Sequence, residues 1–252
     1  MFVGDYVEFD KDQNVIESVQ ERKNFTIRPP IANIDKLFIV LAPIPQPDFM
    51  LIDKLLVQCQ VFNIVPILIV NKKDLATPTF IKDVESQYKS VVKIYKTDIV
   101  DTKSIEALKK EIKGNLCVFV GQSAVGKSSL TNILLPNVMR EVGQLSAKNN
   151  RGKNCTRETV IYNAFGGKIA DTTGFSALEL PYIQKEQLTD CYLEIKKYSV
   201  GCNYNTCNHF GEAENICAVK RAVKEGKIPL KRYQRYLELY KQLKEKQEKK
   251  YG

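Results

Sequence analysis

Gly121-Gln122-Ser123-Ala124-Val125-Gly126-Lys127-Ser128 has the spacing GxxxxGKS, and Asn71-Lys72-Lys73-Asp74 lies about fifty residues before it. A glycine-rich turn of that form, set between a strand and a helix, aims backbone N–H groups at phosphate oxygens, and the helix N-terminus adds a favourable dipole. The apolar run Leu116–Val120 supplies the strand, and a helix is predicted from near Lys127. Gly121 and Gly126 permit the turn. Gln122, Ser123, Ala124, Val125 and Ser129 complete the phosphate cradle, Lys127 reaches toward the β and γ phosphates, and Ser128 is a magnesium ligand candidate. The tetrapeptide follows a second apolar run, Val65–Val70, at the strand end where ligands collect in open α/β sheets. Asp74 can accept hydrogen bonds from the N1–H and 2-amino groups of guanine; Asn71 supports the same base edge, with Lys72 between them. In an ordinary GTPase the phosphate loop comes first. The inverted order predicts a circularly permuted P-loop domain that binds GTP.

Outward from these two motifs, β-branched runs alternate with helical patterns from residue 37 onward, the signature of a parallel sheet with crossover helices. Strands are predicted at residues 37–41, 65–70, 91–95, 116–120, 159–162 and 168–170. Leu51, Leu55, Cys59 and Phe62 fall at helical spacing, as do Ile105, Leu108 and Ile112. Asp171-Thr172-Thr173-Gly174 follows the last of these strands. There Asp171 is placed to hold magnesium through water, and Gly174 to offer its N–H to the γ phosphate. The polar, glycine-containing stretch 143–156 is long for a loop without a task, and its composition suits a switch that orders on γ phosphate and magnesium, with Thr156 as the metal-reaching hydroxyl.

Residues 1–30 read differently. Tyr6-Val7-Glu8-Phe9 and Val15-Ile16-Glu17-Ser18-Val19 alternate like two strands of a small antiparallel module, and Arg28-Pro29-Pro30 reads as a stiff extended linker. Beyond residue 178 helical patterns dominate. Tyr233, Tyr236, Leu237, Tyr240 and Leu243 form a stripe on the final helix whose spacing favours a packing face.

An apolar fraction of 44% and a charged fraction of 27% belong to a globular chain, the longest apolar run is too short to span a bilayer, and the N-terminus lacks the apolar core of a signal peptide. A cytoplasmic protein without a membrane partner is expected. The net charge of +9 is concentrated in residues 218–252, which hold twelve Lys and Arg against four Glu. Such a run serves either a solvated helix face or a polyanion partner. Seven cysteines without an export signal argue against a disulfide framework. Cys59 and Cys117 sit in apolar patterns and read as buried small hydrophobes. Cys202, Cys207, His209 and Cys217 form a set of four soft donors around the only histidine of the chain, which suits one closed, structural zinc ion.

The series NKKD, GQSAVGKS, RGKNCTR, DTTGF and then the Cys-Cys-His-Cys cluster resembles the RsgA (YjeQ) family of circularly permuted GTPases, over nearly the whole chain; Val3-Gly4-Asp5-Tyr6-Val7 and Ile27-Arg28-Pro29-Pro30 add to the match. The resemblance implies a GTP hydrolase that acts with magnesium, binds the small ribosomal subunit and its rRNA during late maturation, and is stimulated by that subunit; a monomer is expected. It also implies an α/β permuted GTPase domain (residues 31–180), preceded by a partial, all-β OB-fold-like module (1–30) and followed by a mainly helical, basic zinc-binding domain (181–252). Only about the last third of a five-stranded barrel precedes Arg28. Where many relatives place a histidine in the switch loop this chain has Asn154, and Phe175 follows Gly174 where many GTPases have a water-orienting glutamine. Lys127, Thr156 and Asn154 are therefore the catalytic candidates, with low intrinsic turnover expected, because Asn154 can hydrogen-bond water but cannot act as a base. The alternative is a GTP-gated RNA-binding module with negligible catalysis. A DNA-binding zinc protein is disfavoured by the lack of two-histidine finger spacing.

Overall fold

Strands covered on both faces read as continuous apolar runs, and the two most buried among the described residues, β5 (Lys36–Leu41) and β8 (Leu116–Val120), lie side by side at the centre of a six-stranded sheet. In the computed structural model, which describes residues 1–27, 30–135, 159–171, 180 and 183–251, contacts divide the chain into two units. The first comprises Met1–Pro47, Phe62–Ala76 and Tyr95–Ala177; the second comprises Asp48–Val61, Thr77–Ile94 and Leu178–Gly252.

The sheet runs β7 (Lys93–Lys96), β6 (Val65–Val70), β5, β8, β10 (Gly167–Asp171), β9 (Val160–Ala164). Pairs β5/β6, β5/β8 and β8/β10 are parallel. The expectation of a parallel sheet is corrected at one edge: β9 runs antiparallel to β10, because a tight turn of two residues joins them and leaves no room for a crossover. In the first unit, α3 (Thr102–Ile112) and α4 (Lys127–Leu134) bury Ile105, Leu108, Ile112, Leu130 and Leu134 against Phe38, Val40, Ile67, Ile69 and Phe119, with the rings of Phe38 and Phe119 edge to face at 4.9 Å. Cys117 joins this core, as expected of it, and burial pushes its thiol up to about 12.

The N-terminal segment forms β1 (Val7–Asp10) paired antiparallel with β2 (Val15–Val19). The linker expected at Arg28-Pro29-Pro30 lies, save for Pro30, outside the described residues. β3 (Phe25–Ile27) and β4 (Pro30–Ala32) pair antiparallel around residues 28 and 29, which lie outside the described residues; Pro30 is tolerated as the first residue of its strand.

The second unit is helical. It gathers α1 (Phe49–Val61), α2 (Pro78–Tyr88), α5 (Leu188–Cys191), α6 (Leu193–Ser199), α7 (Ala218–Lys224) and α8 (Leu230–Tyr251). The tyrosine stripe of α8 is a packing face: Tyr233, Tyr236, Tyr240 and Leu243 are buried with Val57 of α1, Leu188, Tyr192 and Ile195. Beneath it lies a charge network. Arg232, 2% exposed, donates to Asp53 at 2.5 Å and Glu194 at 2.7 Å and lies 5.1 and 4.6 Å from the ring centroids of Tyr88 and Tyr192. Arg235 donates to the other Asp53 oxygen at 2.6 Å, and the Tyr88 hydroxyl donates to Asp53 at 2.7 Å. No described helix is long and apolar enough to cross a membrane.

Candidate nucleotide site and metal centre

β6 and β8 flank β5, and Leu41 pairs with Val70 while Ile39 pairs with Val120, so the segments that leave β6 and β8 emerge from the same end of the sheet. The two sequence motifs meet there. Gly121 (φ +136°) lies so close to β5 that a Cβ would sit 2.2 Å from the Val40 carbonyl oxygen. Gly126 (φ +95°) lies against Asn71, where a Cβ would be 2.3 Å from Nδ2. Any side chain at either position would push β5 or the Asn71–Asp74 loop away. Asn71 is 1% exposed and donates from Nδ2 to the Val125 carbonyl at 2.9 Å, tying the tetrapeptide to the phosphate loop. Lys72, in the left-handed region at φ +54°, donates to the Ala124 carbonyl at 2.9 Å.

Lys127 opens α4 and folds back over the loop, its ammonium donating to the Gly121 and Gln122 carbonyls at 2.8 and 2.7 Å. Burial lowers its proton affinity. Its charge thus has only carbonyl dipoles for partners among the described residues, a place prepared for an anion. Ser123, Ala124, Ser128 and Ser129 are exposed around the turn, and Asp74 is exposed on the single helical turn Lys73–Leu75. Asp171 ends β10, beside β8. Thr156, Asn154 and Gly174 lie outside the described residues.

One contributor escapes a search for motifs. Thr97, fully buried just beyond β7, donates from its hydroxyl to Asn71 Oδ1 at 3.1 Å, and its carbonyl accepts from the Lys73 N–H at 3.0 Å. Asp101 pairs with Lys73, whose hydrogen bond holds that carboxyl below the usual carboxylate range. Thr97 and Asp101 therefore shape the Asn71–Asp74 loop from behind. The available signal is a Thr-Asp step following a strand at the ligand-bearing end of the sheet.

In the second unit Cys202, Cys207, His209 and Cys217 converge, with His209 Nδ1 at 3.6, 3.3 and 3.5 Å from the three sulfurs. Donors on a tetrahedron with zinc-like bond lengths lie about 3.5 to 3.8 Å apart, so the cluster fits a closed four-ligand ion. Burial keeps the His209 imidazole below its ordinary value and pushes the Cys207 thiol up to about 12. The imidazole is thus in its ligating form, whereas thiolates in this place need a cation beside them. Tyr233 Oη donates to the His209 carbonyl at 2.6 Å, which seats the cluster on α8.

Comparison with known proteins agrees with this geometry. The family described as RsgA GTPase matches residues 19–181. The small ribosomal subunit biogenesis GTPase RsgA of Staphylococcus carnosus is 37% identical over 256 residues, covering 98% of this chain and 86% of that protein. Its counterpart in Bacillus cereus is 38% identical over 253 residues, covering 97% and 85%. Among solved structures, YjeQ from Thermotoga maritima superposes with a TM-score of 0.80 at 31% identity, covering 96% of this chain and 84% of that one. YloQ, described as a circularly permuted GTPase, also gives 0.80 at 31% identity, covering 98% and 82%.

Proposed function

Because the chain belongs to the RsgA GTPase family, a family of GTP hydrolases, we propose that it hydrolyses GTP while bound to the small ribosomal subunit in late maturation, with turnover stimulated by that subunit. The observation that carries this reading is the Asn71 side chain, which joins a guanine-specific tetrapeptide to a phosphate loop through the Val125 carbonyl. In it, Asn71, Lys72 and Asp74 read the base; Gly121 to Ser129, with Gly174, hold the phosphates. Lys127 stabilises charge developing on the transferred phosphoryl group. Magnesium, which Ser128, Thr156 and Asp171 would hold, would supply further neutralisation of the phosphate oxygens.

Zinc in the Cys202, Cys207, His209, Cys217 set has a structural role, since four protein ligands leave no open position. Residues 1–30 serve as the partial OB-fold-like module, 31–180 as the GTPase segment and 181–252 as the zinc-binding, basic segment that faces rRNA. The protein works in the cytoplasm as a monomer.

The test is GTP turnover by the purified protein with and without small ribosomal subunits, with Lys127→Ala as control. Stimulation by subunits that is lost in the control supports the reading. Tight GTP binding with no turnover on subunits would replace it with a GTP-gated RNA-binding module, which Asn154 favours because asparagine cannot act as a base.

A further inference from the structure

At the end of the sheet opposite the phosphate loop, where β8 and β10 begin, lies a cleft of about 580 Å³ whose lining includes Tyr6, Asn115, Asn163, Phe165, Gly166 and Lys168. Its volume is in the range of small-ligand sites. All of these residues belong to the first unit.

Phe165-Gly166 is the two-residue turn between β9 and β10, with φ of +51° and +73°. Two left-handed residues make a hairpin turn for which Asn-Gly is the favoured sequence, and a bulky aromatic side chain at the first position is strained. Packing does not repay that strain, because Phe165 is 39% exposed. Nor is the turn loose. Gly167 presses on the connection between α3 and β8, where a Cβ would lie 1.9 Å from the Ile112 carbonyl oxygen. The Gly114 N–H donates to the Gly166 carbonyl, and the Lys168 N–H to the Asn115 carbonyl, each at 2.9 Å. A rigid turn thus presents an aromatic ring to solvent at the mouth of a cleft.

Cations attend both aromatic rings. Lys109 Nζ lies 4.9 Å from the Phe165 ring centroid, and Lys168 Nζ lies 5.6 Å from that of Tyr6, which is 55% exposed. Lys113 is exposed beside Gly166. Among the described residues the one carboxylate in the cleft, Asp35, is already engaged: it accepts from the Leu116 N–H at 2.8 Å and pairs with Lys23 at 2.6 Å. Lys109 shares its charge with Glu106 at 2.5 Å, which leaves Lys113 and Lys168 as the main positive groups.

Exposed rings with ammonium groups at neighbour distance are the means by which proteins hold single-stranded nucleic acid: a base stacks on a ring and lysines meet the flanking phosphates. We propose that this cleft holds an unstacked base of single-stranded RNA, against Phe165 and Tyr6, with Lys113 and Lys168 on the adjoining phosphates and the exposed Asn163 amide at the base edge. The identity of that RNA as rRNA of the small subunit rests on the function proposed above; the cleft's chemistry does not.

The experiment is fluorescence anisotropy of the full chain with a labelled short oligouridylate, comparing wild type with Phe165→Asn and Tyr6→Ala, and with polyglutamate as competitor. Phe165→Asn installs the residue the turn prefers, so its melting temperature should hold or rise and its GDP affinity stay unchanged, while oligouridylate affinity falls about tenfold. No binding by wild type, an unchanged affinity in Phe165→Asn, or displacement by polyglutamate as effective as by unlabelled oligouridylate would overturn the proposal, the last in favour of an acidic peptide. Binding of whole small subunits by wild type is measured separately. Its failure beside a Phe165-dependent oligouridylate affinity sinks the ribosomal function and leaves the cleft standing.

Discussion

In the nucleotide site proposed above, Asp74 is the residue assigned to base specificity, through acceptor chemistry: a carboxylate takes hydrogen bonds from guanine N1–H and the 2-amino group, neither of which adenine presents in that arrangement. Asp74→Asn replaces one acceptor by a donor. GTP affinity should fall by about two orders of magnitude while xanthosine triphosphate, which offers a carbonyl in place of the amino group, gains, as titration of both nucleotides would read. A second residue ties stability to pH. Asp5 accepts from Arg22 Nε and Nη2 at 2.7 and 3.0 Å and from the Phe2 N–H at 2.6 Å, and the Arg22 hydrogen bond, the largest cause, lowers its carboxyl to about 2. A group whose folded value lies below its unfolded one stabilises the protein above the unfolded value, about 4, and loses that contribution as pH falls through the folded value. The stability difference between wild type and Asp5→Asn should therefore be full at neutral pH and shrink from about pH 4 down to about pH 2. A constant difference across that window, by denaturant titration, would refute the pairing.

Among the elements, α8 shows how burial decides what an ion pair is worth. Lys231 and Asp83 pair at 2.7 Å with side chains 60% and 34% exposed, so Lys231→Ala should change stability by less than about 1 kcal/mol. Asp53 faces Arg232 and Arg235 with no exposure at all, and Asp53→Asn leaves Arg235 without its carboxylate and Arg232 with Glu194 alone, a loss of about 3 to 5 kcal/mol in equilibrium unfolding. A small effect there would mean that water reaches the network. The contrast also marks what the sequence could tell. The stripe of Tyr233, Tyr236, Tyr240 and Leu243 was legible because helical periodicity records which side is apolar. Arg232 and Asp53 were not, since a charged residue announces a solvated face unless its partner is known, and here the partner is 179 positions away. The same division runs through the nucleotide site. Gly121, Gly126 and Asn71 belong to motifs of recognisable spacing, whereas Thr97 is marked only by its contacts with Asn71 and Lys73. β3 and β4 were hidden because a proline pair reads as a break unless the strands beside it are seen to pair.

For the whole molecule, the order of segments in the sequence and the grouping of contacts differ, and the difference has a consequence for folding. The chain passes from one unit to the other five times, so α1 and α2, which sit in sequence among the strands of the sheet, pack with the helices that follow residue 178. Val57 of α1 belongs to the core that also holds Leu188, Tyr192 and Tyr236, and Asp53 of the same helix takes both arginines of α8. The stretch 31–180, proposed above as the GTPase segment, therefore does not coincide with one contact unit. A fragment of residues 31–180 would keep all the nucleotide motifs, yet expose the apolar face of α1 and leave Asp53 buried without a cation or newly hydrated, either of which weakens its helices. It should be recovered as aggregate or as a species that binds hydrophobic dyes and GTP only weakly, whereas the full chain gives a cooperative unfolding transition. A monodisperse fragment with wild-type GTP affinity would show that α1 and α2 hold their structure without α8.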